Sequence, residues 1–373
     1  MTRWAEWTAS ETERIHAAGQ WRTPRDLDGI GPTAVLPSTG QTVTHFASND
    51  YLGLTAHPAV ASAAHAAIDR WGTGAGAARL IVGSRPIHTD LEHALAAWKH
   101  TEAAVLFPTG FAANLGAIST FGTPETLICS DELNHASIID GTRLAGAEVR
   151  IYPHSDLSAL DTLIRDRANG RRVIIVTDTV FSMDGDTADL DALRAVRAEH
   201  GALLVVDEAH AVLGPEFVPD PDEPVLRVGT LSKTLGALGG FVAGPRADTD
   251  LLVNRARSYI FTTAPTPADT AAALAALAIA TGGEGNELRG RLRNNIDQLR
   301  EGHPSPIIPI RCGSEVRALA AAEALLDQHL LVPAIRPPTV APGTSRLRVA
   351  LSAAHTLDQV RELRRALDDL ELT

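Results

Sequence analysis

Apolar and polar positions alternate along this chain in a rhythm that changes period every ten to fifteen residues. LEHALAAWKH (91–100) has helical spacing, and AAVLF (103–107) is a short, uninterrupted apolar run that suits a buried strand. A small-residue turn, Pro108, Thr109, Gly110 and Phe111, then opens the helical AANLGAIST. ETLICS, VRIYPHS, RRVIIVTD and LLVVD follow as strands, separated by the helical LSALDTLIRDRA and ADLDALRAVRAEH. Apolar strands in regular exchange with helices predict a mostly parallel sheet covered on both faces, with its ligand at the carboxyl ends of the strands.

The rhythm differs at the two ends. Residues 1–44 read as an arm: a short helical region, then WRTPRDLDGIGPTAVLPSTG with its prolines and glycines. After GFVAG, a proline-punctuated connection carries Thr262 and Thr263, whose hydroxyls can reach a phosphate or cap the alanine-rich helix that starts near Pro267. Beyond it the pattern is α+β. SPIIPIRCG and RLRVALS read as strands, Val316, Leu319, Ala322, Leu326 and Leu330 recur at helical spacing, and Thr356 with Gln359 forms a capping box for a last helix. The division expected is therefore an arm (1–44), a large α/β domain (45–275) and a smaller α+β domain (276–373).

Composition narrows the function. With 373 residues and 45% hydrophobic content the chain can build a large core. A net charge of -12 without a basic block argues against nucleic acid, so an anionic ligand must be met by local donors. The first segment lacks an apolar leader core and no stretch suggests a membrane span. Two isolated cysteines, Cys129 and Cys312, form neither a disulfide framework nor a metal cluster. A reducing cytoplasm is the expected location. Asp184, Asp186 and Asp189 depart from the spacing of a calcium loop, and no metal is expected. Gly72, Gly74 and Gly76 follow a helix instead of a strand, which excludes a dinucleotide fingerprint.

The candidate chemistry centres on VVDEAHAVLG and VGTLSKTLGALGGFVAG. Asp207 stands where a buried strand ends, and His210 follows three residues later. Lys233 lies between Ser232 and Thr234 in an uncharged surround that favours a depressed pKa and imine chemistry. An acid for a pyridinium proton, a histidine for a ring oxygen and a lysine for a carbonyl together suggest pyridoxal phosphate. The turn into AANLGAIST supplies free N–H groups and a helix dipole for a phosphate. His135 just past a strand can stack on a flat ring. Arg346 and Arg348 share a strand face, and one of them can meet a substrate carboxylate. The competing chemistry is a metal-dependent hydrolase built on Asp207, His210 and His135, and a non-enzymatic scaffold is the third class.

NDYLGL (49–54), GTGAGAARLIVGS (72–84), TGFAANLGA (109–117), DELNHASI (131–138), FSMDGD (181–186), VDEAH (206–210), GTLSKTLG (229–236) and PPTVAPGTSRLRVALSAAH (337–355) together resemble the α-oxoamine synthases. The resemblance covers roughly residues 45 to 360. It implies a fold-type I, aminotransferase-like α/β fold and a pyridoxal 5'-phosphate-dependent acyltransferase that joins an amino acid to an acyl-CoA with loss of carbon dioxide. By the same resemblance, Lys233 is the Schiff-base lysine, Asp207 pairs with the pyridine nitrogen, His210 approaches the ring hydroxyl and His135 stacks on the ring. Gly110, Phe111 and Thr230 fall at phosphate-side positions, Ser182 lies beside the cofactor, and Thr262 and Thr263 reach the phosphate of a second subunit in a homodimer. Arg348 receives the amino-acid carboxylate, Asn49 and Thr339 lie near the substrate, and Arg22 or Arg25 in the arm is a candidate for a distal carboxylate.

Within the family, AIRPPTV (334–340) is most similar to the members that serve biotin synthesis, which implies L-alanine and pimeloyl-CoA as substrates. The alternative is glycine or serine with a different acyl-CoA. Two departures from those members stand out: Asp178 replaces a frequent Glu, and TLSK replaces the phenylalanine and glycine common before the lysine.

Overall fold

The computed structural model describes residues 2–220 and 223–372. The strands are β1 (Thr33–Leu36), β2 (Gln41–His45), β3 (Ala103–Phe107), β4 (Thr126–Asp131), β5 (Glu148–Tyr152), β6 (Arg172–Asp178), β7 (Leu203–Asp207), β8 (Val225–Thr230), β9 (Gly240–Gly244), β10 (Ile307–Gly313), β11 (Leu330–Leu331), β12 (Ala334–Ile335) and β13 (Ser345–Ala350). The α-helices are α1 (Arg3–Ala17), α2 (Pro58–Trp71), α3 (Pro86–Trp98), α4 (Gly110–Phe121), α5 (Ala136–Ala145), α6 (Leu157–Arg167), α7 (Leu190–His200), α8 (Arg246–Arg255), α9 (Arg257–Ile260), α10 (Pro267–Thr281), α11 (Gly283–Leu299), α12 (Glu315–Asp327) and α13 (Leu357–Asp369).

Seven strands form the central sheet in the order β3-β9-β8-β7-β6-β4-β5. Strands β8, β7, β6, β4 and β5 pair in parallel, and β9 runs antiparallel to both β8 and β3. The core strands are apolar on both faces because helices cover both, as the runs VIIV and LLVV predict. One core packs Ile118, Ile138, Val176, Val205 and Val228 together, and another packs Leu127, Ile175, Leu193 and Leu204. The expected parallel α/β sheet is present.

Helix starts follow local chemistry. Thr109 caps α4, Asp189 caps α7, and Thr356 with Gln359 forms the predicted capping box of α13. Thr266 caps α10, which leaves Thr262 and Thr263 out of that task. The stretch read as an arm is not uniform: β1 and β2 make an antiparallel hairpin, and β2 pairs in parallel with β11. A second small sheet orders β10-β13-β12. No helix among the described residues is long and apolar enough to cross a membrane.

Candidate active site

The carboxyl ends of β4, β6, β7 and β8 bring Asp131, Asp178, Asp207 and Thr230 to one edge of the sheet. Asp207 is buried and held from two sides: Asn114 Nδ2 on α4 donates to its Oδ2 at 2.6 Å, and the Ala209 N–H donates to its Oδ1 at 2.9 Å. Asn114 also donates to Ser137 Oγ at 2.8 Å, and Ser137 Oγ lies 2.7 Å from His135 Nδ1. The His135 ring is thus fixed beside Asp207, although the residue as a whole is exposed. Partial enclosure lowers the His135 pKa, against the pull of Asp207.

Lys233 sits in the loop between β8 and β9, its Nζ 2.9 Å from His210 Nε2. That loop is pinned by Gly236, whose φ of +60° suits glycine and whose added Cβ would lie 2.6 Å from the Thr55 N. The NDYLGL turn therefore packs directly against the lysine loop. Burial lowers the Lys233 pKa, with Asp207 and Asp178 pulling it back up. Burial also pushes the His210 imidazole well below its ordinary value, reinforced by Lys233, Arg348 and His135. His210 is a neutral ring beside an amine of reduced basicity.

The candidate phosphate cradle lies where α4, β8 and β9 meet. The N–H groups of Gly110 and Phe111 open α4 and have no backbone acceptor among the described residues. A Cβ on Gly240 would lie 2.4 Å from the Gly110 N, so only glycine lets β9 approach this turn. Thr230 Oγ1 lies 2.7 Å from Ser232 Oγ and faces Gly110, whose added Cβ would stand 3.1 Å from Thr230 Cβ. Thr262 and Thr263 have no hydrogen-bond partner among the described residues, and neither joins this cluster within one chain.

Arg348 on β13 is buried, with Nε donating to the Ser182 carbonyl at 2.5 Å and Nη2 donating to Asn49 Oδ1 at 3.1 Å. The Arg348 guanidinium also lies close enough to the Tyr51 hydroxyl to hold its pKa down against burial. Arg346, on the same strand face, is instead paired with Asp184. The structure thereby separates two arginines that the two-residue period leaves equivalent. Arg22 and Thr339 are exposed and line one cleft of ≈ 680 Å³ with Trp21, Ile335 and Pro337. Arg336 closes the base of that cleft by donating to the carbonyls of Gly19 and Trp21.

Three site residues make contacts that sequence reasoning does not assign, although the turn after Asn49 points Tyr51 toward a site. Asn114 is a buried polar residue on the apolar α4, which is the only local sign of its task. Tyr51 is fully buried, its hydroxyl 2.6 Å from His210 Nδ1. Asp178, noted only as a departure, stands in register with Asp207 and accepts from the His135 N–H at 3.1 Å. Behind the edge, Glu208 binds Arg227 Nε at 2.8 Å and Lys99 Nζ at 2.8 Å in a buried triad.

The donor set suits a flat pyridine carrying a phosphate. A buried carboxylate aligned by Asn114 fits a protonated ring nitrogen, the α4 turn with Thr230 and Ser232 fits a phosphate, and a neutral-prone lysine fits an aldehyde. Asn114 Oδ1, buried and without a partner, marks unused polar capacity beside Asp207.

Comparison with known proteins bears on the family and the fold. The family model for aminotransferase class I and II matches residues 41–367. 8-Amino-7-oxononanoate synthase of Anaeromyxobacter sp. (strain K) is 46% identical over 375 residues, covering 95% of this chain and 93% of the relative. The same-named enzyme of Geobacter sulfurreducens is 42% identical, covering 93% of each. Among solved structures, SPT with PLP internal aldimine aligns over 100% of both chains with a TM-score of 0.91 and 28% identity. 8-Amino-7-oxononanoate synthase from Francisella tularensis aligns over 88% of this chain and 96% of its own, with a TM-score of 0.74 and 29% identity. The match along most of the sequence and of the fold together places this chain in the aminotransferase class I and II family, among the α-oxoamine synthases, which are fold-type I enzymes dependent on pyridoxal phosphate.

Proposed function

We propose that the protein condenses L-alanine with pimeloyl-CoA to give 8-amino-7-oxononanoate, CoA and carbon dioxide, the acyl-transfer step of biotin synthesis. The observation that carries this reading is Lys233 Nζ against His210, on the same sheet edge as Asp207, with Arg348 close by through Asn49. Identity of 46% to a relative of that name supports the choice of acyl group.

In this reading Lys233 holds the cofactor covalently, Asp207 holds its ring nitrogen, His210 its ring hydroxyl and His135 its ring face. Gly110, Phe111, Thr230 and Ser232 hold the phosphate, and Ser182 lies alongside. Bound there, pyridoxal phosphate supplies an electron sink for a carbanion beside the amino-acid nitrogen. Arg348 binds the amino-acid carboxylate, which takes the place of Asn49 as a partner of the guanidinium. Lys233, released as an amine, takes the Cα proton at Nζ, and the burial that lowers its pKa favours the free-base form this role needs. Asn114 and the Ala209 N–H both donate to the Asp207 carboxylate and aim it at the position the ring nitrogen would take. Thr339 and Arg22 border the cleft that receives the acyl chain, with Arg22 meeting the distal carboxylate of the diacid. The Thr262 and Thr263 hydroxyls, unused within one chain, serve the phosphate of a second copy in a homodimer.

Borohydride reduction followed by peptide mass analysis is expected to place the cofactor on Lys233, and an adduct elsewhere overturns the site. A second reading, serine or glycine with another acyl-CoA, is favoured by the TM-score of 0.91 to SPT. Release of CoA across alanine, glycine and serine against pimeloyl-, succinyl-, acetyl- and palmitoyl-CoA decides between them. Preference for alanine with pimeloyl-CoA is the expected result. Mixing Lys233→Ala with Thr262→Ala/Thr263→Ala subunits is expected to restore activity, and an active monomer in light scattering refutes the shared site.

A further inference from the structure

The polar chain behind the lysine continues past His210. Tyr51 Oη lies 2.6 Å from His210 Nδ1 and 3.1 Å from Asn49 Oδ1, and Asn49 Oδ1 also accepts from Arg348 Nη2 at 3.1 Å. Lys233, His210, Tyr51, Asn49 and Arg348 therefore form one continuous line of hydrogen-bonding atoms. Tyr51 is 0% exposed, so water does not satisfy its hydroxyl in place of these partners.

A tyrosine hydroxyl has one proton, and here it has two acceptors within reach. If it donates to Asn49, His210 Nδ1–H donates to Tyr51 and the bare Nε2 accepts from Lys233. If it donates to His210 Nδ1, the His210 proton sits on Nε2 and points at the Lys233 nitrogen, which must then offer a lone pair. The first arrangement favours a protonated lysine and the second a neutral one. Burial keeps His210 neutral and raises the Tyr51 pKa to about 12, so both rings exchange roles without either becoming an ion. The charged and titratable groups facing this line are Asp207, Asp178, His135 and Arg348.

We propose that Tyr51 is a positioning residue, whose hydroxyl sets the tautomer of His210 and so ties the proton state of Lys233 to what occupies Arg348. A carboxylate on Arg348 competes with Asn49 for the guanidinium. Relieved of that donor, Asn49 Oδ1 becomes the better acceptor for Tyr51, and the line shifts to the arrangement in which Lys233 donates to His210. Carboxylate binding then raises the proton affinity of Lys233. This inference rests on the site reading above for the meaning of Arg348.

The test uses the full chain labelled with ¹⁵N-histidine, with His210 assigned by the loss of its resonances in His210→Gln. Propionate is the probe, because it is alanine without the amine and cannot react with Lys233 or a cofactor. The wild type is expected to shift toward the Nδ1–H tautomer on adding propionate, and Arg348→Ala is expected not to respond. Tyr51→Phe should lose the response and change the Nδ1 resonance even without propionate. Asn49→Leu, which keeps the Tyr51–His210 contact, should retain the Nδ1 signature and lose only the response, so the proposal stays testable if Tyr51→Phe does not fold. An equal response to propionate in wild type and in either variant overturns it. In the cofactor-loaded protein, the pH midpoint of the lysine imine absorbance is expected to rise with propionate in the wild type alone. Absence of a borohydride adduct on Lys233 would remove the cofactor reading while leaving the ¹⁵N result interpretable.

Discussion

Asp178 and Asp207 occupy the same register on the adjacent parallel strands β6 and β7, two buried carboxyls at one edge of the sheet. They are not equivalent. Asp207 receives Asn114 and the Ala209 N–H, whereas Asp178 receives the His135 N–H. Burial, reinforced by Asp207, pushes the Asp178 carboxyl well above the usual carboxylate range.

This inequality has a pH signature. With its folded pKa raised, Asp178 binds a proton more tightly in the folded chain than in the unfolded one. Its contribution to stability is complete below the ordinary carboxylate value and falls away as pH rises toward the raised value. Asp178→Asn removes that dependence. Urea unfolding of the cofactor-free protein from about pH 4 to about pH 8 should show the wild type losing stability relative to Asp178→Asn as pH increases. A difference that grows the other way means that Asp178 is ionised in the folded chain.

His154 is clamped between Asp131 at 2.9 Å and Asp186 at 2.7 Å, joining the end of β4 to the FSMDGD loop that carries Ser182. Burial works against the imidazolium, but the two carboxylates outweigh it and the His154 pKa is raised. The clamp therefore contributes fully below the ordinary histidine value and is lost as pH rises through the raised one. Thermal melts across that window should converge between wild type and His154→Gln at alkaline pH and diverge in mild acid.

The triad of Lys99, Glu208 and Arg227 gives a larger expectation. One buried carboxylate serves two cations, at 2.8 Å from Lys99 and 2.6 Å from Arg227. Glu208→Ala leaves both without a counter-charge and should cost about 3–5 kcal/mol in urea unfolding. Glu208→Gln keeps the acceptor oxygen and should cost less. Equal loss in both would assign the whole effect to the carboxylate charge and none to its acceptor oxygen or packing.

Gly240 offers a steric test of the cradle. A methyl group there would stand 2.4 Å from the backbone of Thr109 and Gly110. Gly240→Ala should therefore destabilise by about 1–3 kcal/mol and weaken pyridoxal phosphate binding, read by absorbance titration. Gly290, with nothing within 4 Å of an added Cβ on α11, is the control. Gly290→Ala should stabilise by roughly 0.5–1 kcal/mol and leave cofactor affinity unchanged.

Local sequence determined the parts of this protein that depend on neighbours along the chain. The apolar runs ending at Asp178 and Asp207, the Thr109 cap before Gly110 and the Thr356–Gln359 box are legible because strand period and helix capping act over a few residues. The order Asp207, His210, Lys233 is legible because Asp207 ends β7 and the other two follow within three residues of a strand end. Tertiary structure alone decided which polar groups meet. Asn114 reaches Asp207 across 93 positions and Tyr51 reaches His210 across 159, spans over which no periodicity carries information. Arg346 and Arg348 share a face by period, and only the placement of Asp184 neutralises one and leaves the other for a ligand. Likewise 33–45 reads as an irregular arm until β11 arrives from the far end of the chain to pair with β2. A strand's period tells which face a side chain takes, but its partners come from other elements whose contacts are made only when the sheets and helices pack.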